Sequence, residues 1–189
     1  MKLKILIVTI FITINSYSQN SKLSLELNYP IPFDNNFIAD NYKSIIDVGA
    51  KYRFINSKVI NMGVALNAGV LYFKNNQSYL QDYKVTNYMI QPKIFGEFNI
   101  QKLKPFFGIG YTSMIFDYSG SNNGNDISGE NDTQSGIDFN VGIKYLVLNN
   151  VFVQIQYDYI ILDVGDEIIR SKYNTNVNLF KIGVGYNFN

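Results

Sequence analysis

From Lys22 to its last residues the chain alternates apolar and polar side chains one by one, and this period of two dictates strands with unlike faces. The first segment sets Leu23, Leu25, Leu27 and Tyr29 on one face, with Ser24, Glu26 and Asn28 on the other. The next carries Ile46, Val48, Ala50, Tyr52 and Phe54 opposite Asp47, Gly49, Lys51 and Arg53, then turns at Asn56-Ser57-Lys58. A third runs from Ile60 to Tyr72 with Asn61, Gly63, Ala65, Asn67 and Gly69 on its polar side. The fourth sets Tyr88, Ile90, Ile94, Phe98 and Ile100 against Asn87, Gln91, Lys93, Glu97 and Asn99. Pro92 lies within it, lacks a ladder donor and predicts a bulge or local distortion. In the fifth, Phe107, Ile109, Tyr111 and Ile115 alternate with Gly108, Gly110, Thr112 and Met114. The last three put Asp138 and Lys144, then Asp158, then Lys181 on the polar faces of Ile137 to Val147, Val151 to Ile161 and Phe180 to Phe188.

No later stretch holds the ~20 consecutive apolar residues of a membrane-crossing helix. A chain of this pattern can enter a bilayer only as a closed barrel, where every backbone polar group finds a partner on a neighbouring strand. The connections alternate as such a barrel demands. Long polar ones span Ile31 to Tyr42, Lys74 to Lys84, Asp117 to Ser135 and Asp163 to Thr175; short ones lie between. The expected fold is therefore an all-β, eight-stranded antiparallel up-and-down barrel, the smallest size of its kind.

Alternation fits equally a soluble ligand-binding barrel with an apolar lumen, so the distribution of aromatics matters. Tyr29, Tyr72, Tyr88, Tyr157, Tyr159 and Phe180 gather toward the long-loop end of the apolar face. Tyr52, Phe54, Phe98, Phe107, Tyr145, Tyr186 and Phe188 gather toward the short-turn end, and Tyr111 sits nearer mid-strand. Two aromatic girdles around an aliphatic band are how strands meet two membrane interfaces. The polar face is rich in Gly, Ala and Asn, which suits the narrow lumen of an ~8-stranded barrel. Only 16% of residues are charged, against about 25% in soluble domains, so a densely charged outer surface is not expected.

The inward charges are Glu26, Asp47, Lys51, Arg53, Lys93, Glu97, Asp138, Lys144, Asp158 and Lys181, balanced in sign. They predict a lumen plugged by ion pairs; a narrow, porin-like path for ions or small solutes is the alternative.

At the N-terminus, Lys2 and Lys4 precede the apolar run Ile5 to Ile14, and Ser16-Tyr17-Ser18 places small residues at a cleavage site. Residues 1–18 are thus expected to be a cleavable secretory signal, with the barrel domain covering 19–189.

The chain has no Cys and no His. Disulfides, thiol nucleophiles and an imidazole base or metal ligand are excluded, and an enzyme is not expected. No cofactor is called for. A net charge of +1 lacks the basic footprint of a nucleic-acid binder. Gly108-Ile109-Gly110 and Gly183-Val184-Gly185 open no helix, so neither is a nucleotide-binding fingerprint. Asp117, Asp126, Glu130 and Asp132 sit in one long connection, where a calcium site would need carboxylates; the ordered EF-hand spacing is missing, and a mobile solvated loop is expected instead.

With its signal segment, alternating strands and terminal aromatic Phe188, the chain from Gln19 to Asn189 resembles the small porin-like outer-membrane β-barrel domain proteins, similar in architecture to OmpX and the OmpA barrel. That resemblance implies an outer-membrane location, contact with membrane lipid and a C-terminal strand read by the barrel-assembly machinery. It also implies a monomer whose long loops would meet any surface ligand.

Overall fold

The computed structural model describes residues 22–74, 83–122, 125–126, 128–165 and 169–188. The expected signal segment, residues 1–18, lies outside them.

Strands β1 (Leu23–Phe33), β2 (Tyr42–Asn56), β3 (Ile60–Phe73), β4 (Tyr83–Phe98), β5 (Leu103–Asn122), β7 (Asn131–Leu146), β8 (Val151–Asp163) and β9 (Asn176–Phe188) form one closed barrel. A two-residue strand, β6 (Asn125–Asp126), folds back on the end of β5. Short helices α1 (Phe37–Asn41) and α2 (Lys172–Thr175) lie in the first and last long connections. Every pairing is antiparallel between sequence neighbours, and β1 closes the cylinder on β9, from Leu23↔Phe188 to Phe33↔Asn178. The barrel strands are 11 to 20 residues long. About 9–11 tilted residues cross a membrane, so each is long enough to do so.

Facing follows the alternation. Leu25, Val48, Val64, Ile94, Val141, Val153 and Ile182 point outward, and the charges point inward. This is the reverse of a soluble ligand-binding barrel, whose exterior must be wet.

The structure corrects the sequence reading in four places. First, β1 continues through Pro30 and Pro32, because the partner there is β9 alone: β1 pairs with β2 only as far as Asn28, so a missing amide can face an unpaired edge. Residues 31–42 therefore hold a strand end and α1 rather than a long loop. Second, β5 and β7 stay paired beyond the expected strand ends, through Asp117↔Asn131, so residues 117–135 begin and end as a hairpin. Third, the alternating run from Phe180 is only part of β9, which starts at Asn176, directly after the expected end of the last connection at Thr175. Fourth, the distortion expected at Pro92 is a gap and not a bulge: the ladder with β5 omits Gln91 and Pro92, then resumes unshifted at Lys93↔Gly110. The register shifts lie instead in β2, between Ser44 and Ile46 and between Arg53 and Ile55.

Where strands approach closely, only a missing side chain fits. A Cβ on Gly136 would stand 1.9 Å from the Ile161 carbonyl oxygen, a backbone atom that cannot swing away. Gly136→Ala is expected to destabilise the barrel by about 1–3 kcal/mol, the cost of overpacking, read as a lowered urea midpoint in lipid vesicles. An unchanged midpoint would contradict the close packing of β7 on β8.

Candidate functional site: the barrel interior and its two ends

The lumen is built in layers. On β4 the inward residues run Val85, Asn87, Met89, then Gln91 and Lys93, then Phe95 and Glu97. On β8 they run in the opposite chain direction, from Phe152 through Gln154, Gln156 and Asp158 to Ile160 and Leu162. The long-loop end is mostly apolar, with the Asn87 amide buried within it, the middle carries paired charge, and the short-turn end mixes charge with aromatic rings.

The middle layer joins all eight barrel strands in one bonded chain. Lys181 Nζ on β9 lies 3.0 Å from Asp47 Oδ2 on β2 and 3.0 Å from Asp158 Oδ2 on β8. It also donates to Gln91 Oε1 at 2.8 Å. Lys93 on β4 bridges Asp158, at 3.0 Å, to Asp138 on β7, at 2.7 Å. Thr112 on β5 and Gln91 donate to the same Asp138 oxygen. Asn28 on β1 and Asn67 on β3 donate to Asp47 Oδ1 at 2.8 and 2.9 Å. Gln156 donates to the second Asp158 oxygen. Buried charge is tolerable only when paired and hydrogen-bonded in this way.

Below it, Glu26 pairs with Lys51 at 2.8 Å. Glu97 takes both Arg53, through two nitrogens, and Lys144. Lys51 Nζ stands 4.3 Å from the Phe106 ring centroid and Lys144 Nζ 4.4 Å from that of Phe152, within cation–π range. All ten charges expected in the lumen are buried there.

Above the charges lies a layer that the sequence reading missed. Leu71, Met89, Met114, Phe116, Ile160, Leu162, Val177 and Leu179 pack inside the barrel, and Ile38 of α1 and Tyr42 close it from the loop side. Asn36 holds α1 in place: its side chain accepts from the Ala39 amide at 2.9 Å and donates to the Phe33 carbonyl at 2.7 Å. A signal was present, since alternation breaks into adjacent apolar pairs here: Leu71-Tyr72, Ile115-Phe116, Ile161-Leu162 and Leu179-Phe180.

On the outer wall, Tyr29, Tyr72 and Tyr88 are exposed near the long-loop end, as are Tyr52, Phe54, Phe98, Phe107, Tyr145 and Tyr186 near the short turns. Tyr157, Tyr159, Phe180 and Phe188 are half-buried. The Tyr157 hydroxyl donates to Asn178 Oδ1 at 2.7 Å, and that of Tyr159 accepts from Asn176 at 2.9 Å. Tyr111 and Phe139 are exposed between the two groups. Among the described residues no cluster of three or more acidic side chains is arranged to hold a metal ion.

A closed antiparallel eight-stranded barrel, apolar outside and charged within, is the architecture of an outer-membrane barrel. The chain belongs to the outer membrane protein beta-barrel domain family, whose model matches residues 5–188. Solved structures share the fold. Neisserial surface protein A matches with a TM-score of 0.60 and 18% identity, over 89% of this chain and 98% of its own. Ail, the attachment invasion locus protein of Yersinia pestis, in complex with the heparin analogue sucrose octasulfate, gives 0.57 and 15%, over 88% and 97%. The outer membrane protein OprG from Pseudomonas aeruginosa gives 0.52 and 12%, over 89% and 96%. No curated protein matches the chain.

Proposed function

We propose that this protein is a non-enzymatic outer-membrane barrel with a closed lumen, acting through its wall as a membrane component and through its loop end as a contact surface. The observation that carries this reading is the doubled seal: a bonded layer of charge spanning all eight barrel strands, capped by an apolar layer. An ion on that path would have to separate paired charges and then cross a layer that is mostly apolar. Surface roles are also what the names of neisserial surface protein A and the attachment invasion locus protein carry.

Planar-bilayer recording of the refolded chain tests the seal. A flat baseline is expected, and stable unitary steps would favour the narrow-channel alternative.

In this reading residues 1–18 direct export and are removed, the aromatic girdles sit at the two interfaces, and the long connections face outward. The barrel is a monomer, inserted by the assembly machinery through β9. Mass spectrometry of the protein extracted from outer-membrane fractions should give a chain beginning at Gln19. A retained N-terminus would remove the cleavage site from this account.

A further inference from the structure

A recess of about 560 Å³ opens at the short-turn end of the lumen, against the β2–β3 and β4–β5 turns and the last residues of β9. Arg53, Lys58 and Lys104 line it, with Glu97 as the one carboxylate among the lining residues. Glu97 is already shared, because Arg53 forks onto it and the fully buried Lys144 bonds the same Oε2. Positive charge is therefore in excess around this recess. The middle layer has the opposite balance, with Asp47, Asp138 and Asp158 facing Lys93 and Lys181.

The remaining wall is amide and hydroxyl. Asn61 and Asn99 bond each other reciprocally at 3.1 and 2.9 Å, and Lys104 Nζ reaches Asn99 Oδ1 at 2.7 Å. Asn187, 6% exposed, brings a buried amide whose Oδ1 has no hydrogen-bond partner among the described residues. Turning that amide to present its NH2 group breaks no bond at the oxygen.

We propose that this recess binds a phosphate-class oxyanion, either a free phosphate or the phosphoryl headgroup of a lipid. Asn61 and Asn99 already spend their NH2 groups on Glu97, Ser57 and each other. The donors that remain are the ammonium groups of Lys58 and Lys104 and the Asn187 amide beside the Arg53 guanidinium; around partly enclosed space, these suit such an anion. Partial burial keeps the attraction from being fully screened. The site does not depend on the loop end or on a sealed lumen.

The test uses the full chain folded in octyl glucoside micelles, read by amide NMR shifts at constant ionic strength. One arm adds inorganic phosphate, a second adds phosphatidylglycerol, and a third adds diacylglycerol as the phosphate-free lipid. Saturable shifts at Asn61, Asn99, Lys104 and Asn187 are expected in the first or second arm, and the responding arm identifies the source. The double variant Lys58→Gln, Lys104→Gln should weaken that binding about tenfold, equivalent to about 1.4 kcal/mol. Lys58→Gln alone, at an exposed site that cannot disturb folding, should weaken it about threefold. Lys102→Gln, outside the recess, should change nothing. No saturation in either phosphate arm, equal shifts with diacylglycerol, or undiminished binding in the double variant would overturn the proposal.

Discussion

Replacing Lys181 with methionine is expected to cost about 3–5 kcal/mol of barrel stability, the cost of breaking a buried ion pair by removing one partner. The side chain is fully buried and sits between Asp47 and Asp158, with Gln91 as its third acceptor. Methionine fills much the same space but removes the charge. Three carboxylates, Asp47, Asp138 and Asp158, would then face Lys93 as the remaining cation of their layer. Asp47 would keep only its amide donors, Asn28 and Asn67. Urea unfolding in lipid vesicles, followed by circular dichroism or tyrosine fluorescence in this Trp-free chain, measures the loss. The double variant Lys181→Met, Asp47→Asn should recover a large part of it, because the uncompensated charge goes with its partner. A single variant within about 1 kcal/mol of the parent would mean that the middle layer is solvated and does not seal the lumen.

The second large effect belongs to the outer wall. Ile94 is 56% exposed, lies between Val64 and Ile109 across the sheet, and is flanked along β4 by Ile90 and Phe98. An arginine at the bilayer midplane of a barrel costs about 2–4 kcal/mol, falling to about 0–1 near the interfaces. Ile94→Arg is therefore expected near the upper range. Val59→Arg, at a 70% exposed position in the β2–β3 turn, is expected near zero. Equal costs at the two positions would show that Ile94 does not face hydrocarbon. In detergent-free water both substitutions would be harmless to a soluble barrel, so the difference reports the membrane directly.

These two substitutions also mark how far the sequence could be read. Ile94 and Lys181 sit on opposite faces of their strands; alternation separated them, because a period of two permits only two facings, and the placing of the aromatics told which face looks outward. The strand order was equally accessible, since short turns leave antiparallel neighbours no other arrangement. The ends of strands were harder. Above the membrane both faces of a hairpin are wet, so Asp117 to Ser135 shows no apolar alternation even where β5 and β7 remain paired by their backbones. Pro30 and Pro32 look like breakers until the edge they face is known.

The residues by themselves determined the class of fold, the facing of the charges and the absence of imidazole and thiol chemistry, because these depend on periodicity and residue type. Only the tertiary structure decided which charges meet. Lys181 and Asp47 are separated by 134 residues, and their contact follows from strand register and barrel closure, which no local pattern encodes. The same closure brings Leu71, Met114, Ile160 and Leu179 from four strands into one apolar plug, and gathers Arg53, Lys58 and Lys104 around a single recess. Layering inside the lumen is a property of the closed cylinder, where residues distant in the chain share one height.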